Sequence, residues 1–289
     1  MRTTRFLSLL LALFSLNATA QEKEVLIRCD DIGMNHTVNM AFEKVAKLGF
    51  PVSASVMFAC PWYQEAVEIL KQYPNVSAGI HLTLNAEWKN YRWGPVSGNV
   101  PSLVDSNGHF FPSRATYFAN KPRDEDVERE LRAQIGRAMR SGLRIDYLDY
   151  HMGTAVDTKE YRAIVSRLAS EYGLGVSRCC GESDLGGYYS TDPDHKIDTL
   201  LNALEQVAPG PPRLLVFHVG LRSSEMDALT DLNVNGLRGM STHREAEFEA
   251  LVSEDFRDAV KELGIRLINY RELIERVGRG RAVCPEWVQ

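Results

Sequence analysis

The sequence predicts an α/β protein: a single distorted (β/α) barrel of the TIM-like type, with about seven parallel strands and an active site at their carboxyl ends. Three observations lead there. From Glu24 onward, apolar runs rich in β-branched residues alternate with longer amphipathic stretches, the rhythm of parallel strands joined by right-handed crossover helices. No Gly/Ser-rich linker or internal repeat divides the 289 residues, which favours one large domain over two. Composition allows a sizeable core, since 44% of residues are hydrophobic and 25% charged, and it excludes disordered, collagen-like and disulfide-framework chains.

The first twenty residues stand apart from this pattern. Arg2 and Arg5 precede a short apolar run from Phe6 to Leu16, and Ala18-Thr19-Ala20 supplies an A-x-A cleavage site, so residues 1–20 read as a signal peptide and 21–289 as the barrel domain. The apolar run is too short for the roughly 20 residues that span a bilayer. The expectation is an exported protein, periplasmic or secreted, without membrane insertion after cleavage. With Lys+Arg 33 against Asp+Glu 38 the net charge is −5, and without a dense basic run nucleic acid is not an expected partner.

The expected strands are 25–31, 52–60, 76–84, 143–151, 175–180, 213–219 and 265–270, with helices near 37–48, 62–72, 123–141, 158–173, 194–208 and 243–263. The third helix is marked by Val127, Leu131, Ile135 and Met139, one apolar residue every fourth position among charges. Residues 86–121, with Trp88, Tyr91, Trp93 and Phe110-Phe111, form a connection long enough to mark a functional loop. The cysteines, Cys29, Cys60, Cys179, Cys180 and Cys284, are odd in number and irregularly spaced; most read as buried small hydrophobes, with Cys179 and Cys180 an adjacent reduced pair.

Catalytic groups in such barrels come from the ends of several strands. Here those ends carry Asp30 and Asp31, His81, Asp149 and His151, Arg178, and His218. Two imidazoles and a carboxylate suit a divalent metal with open positions, and of two adjacent aspartates one can bind metal while the other acts as general base. Adjacent strand residues face opposite ways, so both reach one site only if the chain turns there, and Gly33 makes a turn feasible. Taken singly, each residue has a plainer reading: an Asp-Asp-x-Gly turn, a structural histidine, a surface Arg. A metal-independent glycosidase using Asp30 and Asp149, an iron- and oxygen-dependent enzyme, and an inactive glycan-binding barrel also stay open.

The segments DDIGMN at 30–35, GIHLTLN at 79–85, YLDYHMGT at 147–154, FHVG at 217–220, THREAEFEAL and INYREL resemble, in order along the whole chain, the YdjC-like (ChbG) carbohydrate deacetylases, a distant branch of the polysaccharide deacetylases. The resemblance implies hydrolysis of an acetamido group on a sugar, with an acetylated saccharide as substrate and a divalent metal, zinc or magnesium, as cofactor. Carried over residue by residue, it implies Asp31, His81 and His151 as metal ligands, Asp30 as base, and His218 as acid or transition-state stabiliser, with Val219 where the family often has Pro. Arg178 matches an arginine that orients the base. Gly153 departs from a histidine-rich run of the family, which bears on specificity. A homodimer is expected from the family alone. Trp88, Tyr91 and Trp93 offer flat faces for a sugar ring, and Trp62 does too unless it packs in the core.

Overall fold

The computed structural model describes residues 21–234, 236–282 and 284; the signal peptide expected at 1–20 lies outside the described residues. Eight parallel strands form one curled sheet: β1 (Lys23–Ile32), β2 (Ser53–Val56), β3 (Ser77–Leu82), β4 (Ile145–Tyr150), β5 (Gly175–Val176), β6 (Ser183–Asp184), β7 (Arg213–Phe217) and β8 (Ile265–Ile268). Their order is β5-β4-β3-β2-β1-β7-β6, with β8 also on β1. Val25 and Leu26 pair with both β7 and β8, which places those two strands on opposite sides of β1. β8 therefore shares one edge of β1 with β2, taking its amino half. Among the described residues no pairing joins β5 to β6, so the barrel is open there.

Helices surround the sheet: α1 (His36–Lys47), α2 (Tyr63–Gln72), α3 (Arg114–Ala119), α4 (Asp124–Met139), α5 (Lys159–Tyr172), α6 (Lys196–Glu205), α7 (Ser224–Asp227), α8 (Met240–Val252) and α9 (Glu254–Glu262), while α10 (Tyr270–Val277) lies across the amino end and packs into the interior. Local chemistry sets their ends. Asn35 caps α1 by accepting from Val38 N, and Val38, Ala41, Phe42 and Val45 form its buried stripe. α4 opens with three acids that complement its dipole and buries Val127, Leu131 and Ile135. Met139, at the last turn, escapes that stripe and is 44% exposed.

Several expectations need correction. The stretch 243–263 is two helices, because Ser253 takes an extended conformation and caps α9 from Phe256 N at 3.0 Å. Only two residues of 175–180 are strand, and β6 and α10 were not anticipated. Cys179 is not in a reduced pair with Cys180: it is disulfide-bonded to Cys284, which the fold brings across a separation of 105 residues. Cys29, Cys60 and Cys180 are free and buried.

The core has two parts. Between sheet and helices lies the larger, including Val25, Ile27, Cys29, Ile80, Leu82, Leu148, Leu215 and Phe217. The barrel interior holds Leu26, Tyr147, Leu214, Ile268, Tyr270, Leu273 and Ile274. Gly79 admits the Tyr147 ring, which any Cβ there would strike. After β8 the chain passes the starts of β2 and β3, with Tyr270 N donating to Ser53 Oγ and Arg271 N to Ser77 Oγ, each at 3.0 Å. The amino end of the barrel is thus closed, and the carboxyl end carries the open cavity.

Candidate active site

Side chains alternate across a strand, and the interior row follows from that rule. β1 sends Leu26, Arg28 and Asp30 inward, β3 sends Gly79 and His81, β4 sends Tyr147 and Asp149, and β7 sends Leu214 and Val216. His151 and His218 follow the last residues of β4 and β7. In each row the apolar residues lie deep and the ionisable ones at the carboxyl end.

Asp31 should by this alternation face the helices. It faces the site because its backbone is left-handed, φ 63°, and the pairing of β1 with β2 slips between Cys29 and Ile32. A left-handed L-residue costs about 1 kcal/mol, a cost that brings two adjacent carboxylates to one place. Gly33, at φ 88°, completes the turn, and a Cβ on it would meet Tyr63 Cα at 3.0 Å.

Asp31, His81 and His151 are all buried. Asp31 Oδ1 lies 3.3 Å from His81 Nε2 and 3.2 Å from His151 Nδ1. Behind each imidazole stands a further carboxylate: Asp149 Oδ2 at 3.0 Å from His81 Nδ1, and Glu87 Oε2 at 2.9 Å from His151 Nε2. Arg244 Nη2 donates to Asp31 Oδ2 at 2.5 Å. Burial raises the Asp31 carboxyl, but Arg244 and the two histidines outweigh it and hold it well below the usual range. Burial likewise pulls both histidines down, and the surrounding carboxylates win: His81 rises to about 10 through Asp149 and Asp30, and His151 to about 9 through Glu87 and Asp31.

Asp30 lies one step deeper. Arg28 grips it with Nε to Oδ1 at 2.6 Å and Nη2 to Oδ2 at 2.7 Å, and reaches Ser177 Oγ with Nη1 at 2.6 Å. Against the opposing effect of burial, Arg28 and His81 bring Asp30 down to about 2, so it is ionised at neutral pH. The arginine expected to orient this carboxylate, Arg178, is turned elsewhere. It pairs with Asp184 through Nε and Nη2, both at 2.8 Å, and its guanidinium lies 5.9 Å from the Tyr150 ring centroid. The physical reason is length and direction: β5 ends at Val176 and Arg178 sits at φ 68° in the following turn, whereas Arg28 shares Asp30's own face of β1.

His218 is held from behind by Glu247, whose Oε2 accepts His218 N at 2.6 Å and lies 3.9 Å from Nδ1. Glu247 Oε1 in turn accepts from buried Lys196 at 2.8 Å. Burial lowers the His218 pKa despite the nearby acids, so its imidazole is neutral at pH 7. Arg244 and Glu247, one turn apart on α8, thus brace Asp31 and His218 together.

These groups floor a cavity of about 610 Å³, also lined by Glu87, Trp88, Arg114, Tyr150, Met152, Tyr189, Asp231, Asn233 and Val234. Of the aromatics expected to meet a sugar, Trp88 lines it. Tyr91 and Trp93 do not: Tyr91 donates its hydroxyl to Met34 O, while Trp93 is buried, donates to Asn85 O at 2.8 Å and packs edge-on to His151, ring centroids 6.3 Å apart. The loop folds back on itself, so they support the site from behind. Trp62 is neither core nor lining; it is half-exposed against His36. Tyr189, half-exposed with its ring 5.0 Å from that of His218, and Tyr150 are the aromatics that sequence inspection missed. Gly153, at φ 75°, holds a backbone turn that a side chain would strain.

A divalent cation fits this donor set. Ligand atoms of Asp31, His81 and His151 lie within 4.8 Å of one another, and Asp31 Oδ1 is a buried oxygen with no hydrogen-bond donor. Each imidazole has a carboxylate on its far nitrogen, the arrangement that fixes metal-ligating histidines. Four inner carboxylates, Asp30, Asp31, Glu87 and Asp149, face two guanidiniums, Arg28 and Arg244; the two further positive charges that balance them come from the protonated imidazoles of His81 and His151, or from a divalent cation once those rings are neutral ligands. A second trio, Asp30, His81 and Asp149, is as compact but already holds Arg28.

The chain is similar to several known proteins. A carbohydrate deacetylase of Enterococcus faecalis is 28% identical over 269 residues, covering 87% of this chain and 98% of that protein. One of Brevibacillus brevis is 33% identical over 153 residues, covering 53% of this chain and 58% of its own length. A crystal structure from Enterococcus faecalis V583, described as a cellobiose-phosphate cleavage protein, superposes with TM-score 0.72 at 26% identity over 87% of this chain and 99% of that one. A structure described as T48 deacetylase with substrate shares the fold, TM-score 0.50 at 14% identity, over 91% and 96% of the two chains. The profile of the YdjC-like proteins matches residues 24–262, and the chain belongs to that family.

Proposed function

We propose that this protein is an exported, metal-dependent carbohydrate deacetylase that hydrolyses the acetamido group of an N-acetylated sugar to free amine and acetate. The observation that carries the reading is the Asp31–His81–His151 cluster, with an Asp31 oxygen that accepts no hydrogen bond and a carboxylate behind each histidine, at the floor of the cavity. Relatives named carbohydrate deacetylase support the substrate class.

Asp31, His81 and His151 would hold the cation, zinc or magnesium. When bound, it supplies Lewis acidity toward an amide carbonyl and toward water. Asp30, ionised and fixed by Arg28, is the group positioned to take the proton of attacking water. His218, steadied by Glu247, faces the same cavity; its neutral imidazole is placed to donate a hydrogen bond to the oxyanion, and it can protonate the departing amine only after taking up a proton itself. Trp88, Tyr150 and Tyr189 line the cavity, and of these Tyr150 and Tyr189 are the more accessible to a sugar ring, Trp88 being buried. Asp149 is fully buried against His81 and Arg28 and does not line the cavity, which disfavours the glycosidase that would need it.

Export is supported by the Cys179–Cys284 disulfide, a bond that persists in oxidising compartments. Acetate release from a panel of chito-oligosaccharides and other acetamido sugars, with zinc or magnesium, tests the activity. Wild-type protein should turn over at least one substrate, and Asp30→Asn should lower kcat by about 10²- to 10⁴-fold while still binding metal. No release from any substrate, or an unimpaired Asp30→Asn, would sink the proposal.

A further inference from the structure

Each histidine of the cluster leans on a carboxylate, but the two carboxylates have different origins. Asp149 is on β4, in register with His81 on β3, so that pair is built into the sheet. Glu87 comes from the long connection after β3, and nothing in the sheet holds it. Its carboxylate accepts from His151 Nε2 at 2.9 Å, which keeps a proton on that nitrogen and makes Nδ1, 3.2 Å from Asp31 Oδ1, the nitrogen available to a metal.

What places Glu87 is a second loop. Leu232 N donates to Glu87 O at 2.7 Å, Lys89 N donates to Thr230 O at 2.9 Å, and Trp88 forms an antiparallel bridge with Asp231. The segment 230–234 that makes this clasp also lines the cavity with Asp231, Asn233 and Val234, the last 83% exposed. A group at the mouth of the cavity and a group that orients a buried imidazole are therefore joined by one antiparallel bridge, closed by these two backbone hydrogen bonds.

We infer that Glu87 is a positioning residue: it fixes His151 with Nδ1 as the metal-binding nitrogen and couples that orientation to the cavity-lining segment 230–234. The inference rests on the metal-dependent reading above. Loss of such an outer carboxylate lowers metal affinity by about 10- to 100-fold in comparable sites.

The test is a titration of the purified chain with Co²⁺, followed by its visible absorption, and with Zn²⁺ by competition. Glu87→Gln should weaken binding of both ions 10- to 100-fold and shift the cobalt bands, while the metal-free thermal midpoint stays near wild type. Glu87→Asp, with the same charge on a shorter arm, should also bind less tightly, and it carries the comparison if Glu87→Gln does not fold. Affinity within twofold of wild type and unaltered cobalt bands in the folded variant would overturn the role of Glu87. Wild-type protein that takes up neither ion would overturn the metal-dependent reading itself, an outcome seen before any substitution is made.

Discussion

At the amino end of the barrel, Asp146 accepts from Ser77 Oγ at 3.0 Å, Arg144 Nε at 3.0 Å and Arg271 Nε at 2.9 Å, and Glu24 accepts from Arg266 at 2.6 Å and Arg276 at 2.9 Å. At the carboxyl end Asp31 Oδ1, His218 Nδ1, and Arg244 Nε and Nη1 are buried without a hydrogen bond. A buried polar atom lacking a hydrogen bond costs about 1 to 3 kcal/mol. A fold able to satisfy its carboxylates at one end has no structural need to leave them unsatisfied at the other. The difference separates groups that hold the barrel together from groups held ready for a ligand.

The strongest way to break this contrast is to exchange the outcomes of two substitutions. Asp31→Asn removes the ligand charge but keeps the side-chain shape; metal uptake and acetate release should fall together, by about 100-fold or more, with folding retained. Asp146→Ala should do the reverse, lowering stability by about 3 kcal/mol in denaturant titration, as loss of a buried carboxylate that accepts three side-chain hydrogen bonds does, with unchanged turnover per folded molecule. An active Asp31→Asn or an inactive but folded Asp146→Ala would show that the two ends are not divided in this way.

A smaller effect lies in the wall between the two ends. Glu130 on α4 accepts from Val96 N at 2.9 Å and Ser97 N at 2.8 Å and so anchors the long connection that carries Glu87 and Trp88. Burial raises its pKa from the ordinary 4.5 to about 7, against those hydrogen bonds. Between these values the folded chain holds a proton that the unfolded chain has lost, so stability should decline as pH rises from 4.5 to 7. The drop attributable to Glu130 should be at most about 3 kcal/mol, and Glu130→Gln should remove that part of the pH dependence of the thermal midpoint. A profile identical in the variant would show that Glu130 stays ionised in the fold.

How much of the site is legible in sequence depends on whether a residue's direction follows from local periodicity. Asp30, His81 and Asp149 sit on strands and His218 directly follows one, so a period of two sorts them inward with their neighbours. Arg28 obeys the same rule, a lone cation in the run VLIRCDD with the parity of Leu26 and Asp30, and that parity is the signal that identifies it in place of Arg178. Arg244 and Glu247 leave a fainter trace: on α8 they occupy buried positions beside Met240, Ala250 and Leu251, where an ordinary surface helix would be apolar. Glu87 leaves none. Its neighbours are set by a loop that pairs with another loop more than 140 residues later.

The sequence by itself determined the alternation of strands and helices, the cluster of ionisable residues at the strand ends and the family to which the chain is similar, because all three follow from periodicity or from motifs in chain order. Tertiary structure alone decided which arginine serves Asp30, which loop carboxylate orients His151, that Tyr91 and Trp93 stand behind the site, and that Cys179 bonds Cys284. Those outcomes depend on distances between segments far apart in the chain, and local propensity carries no information about them.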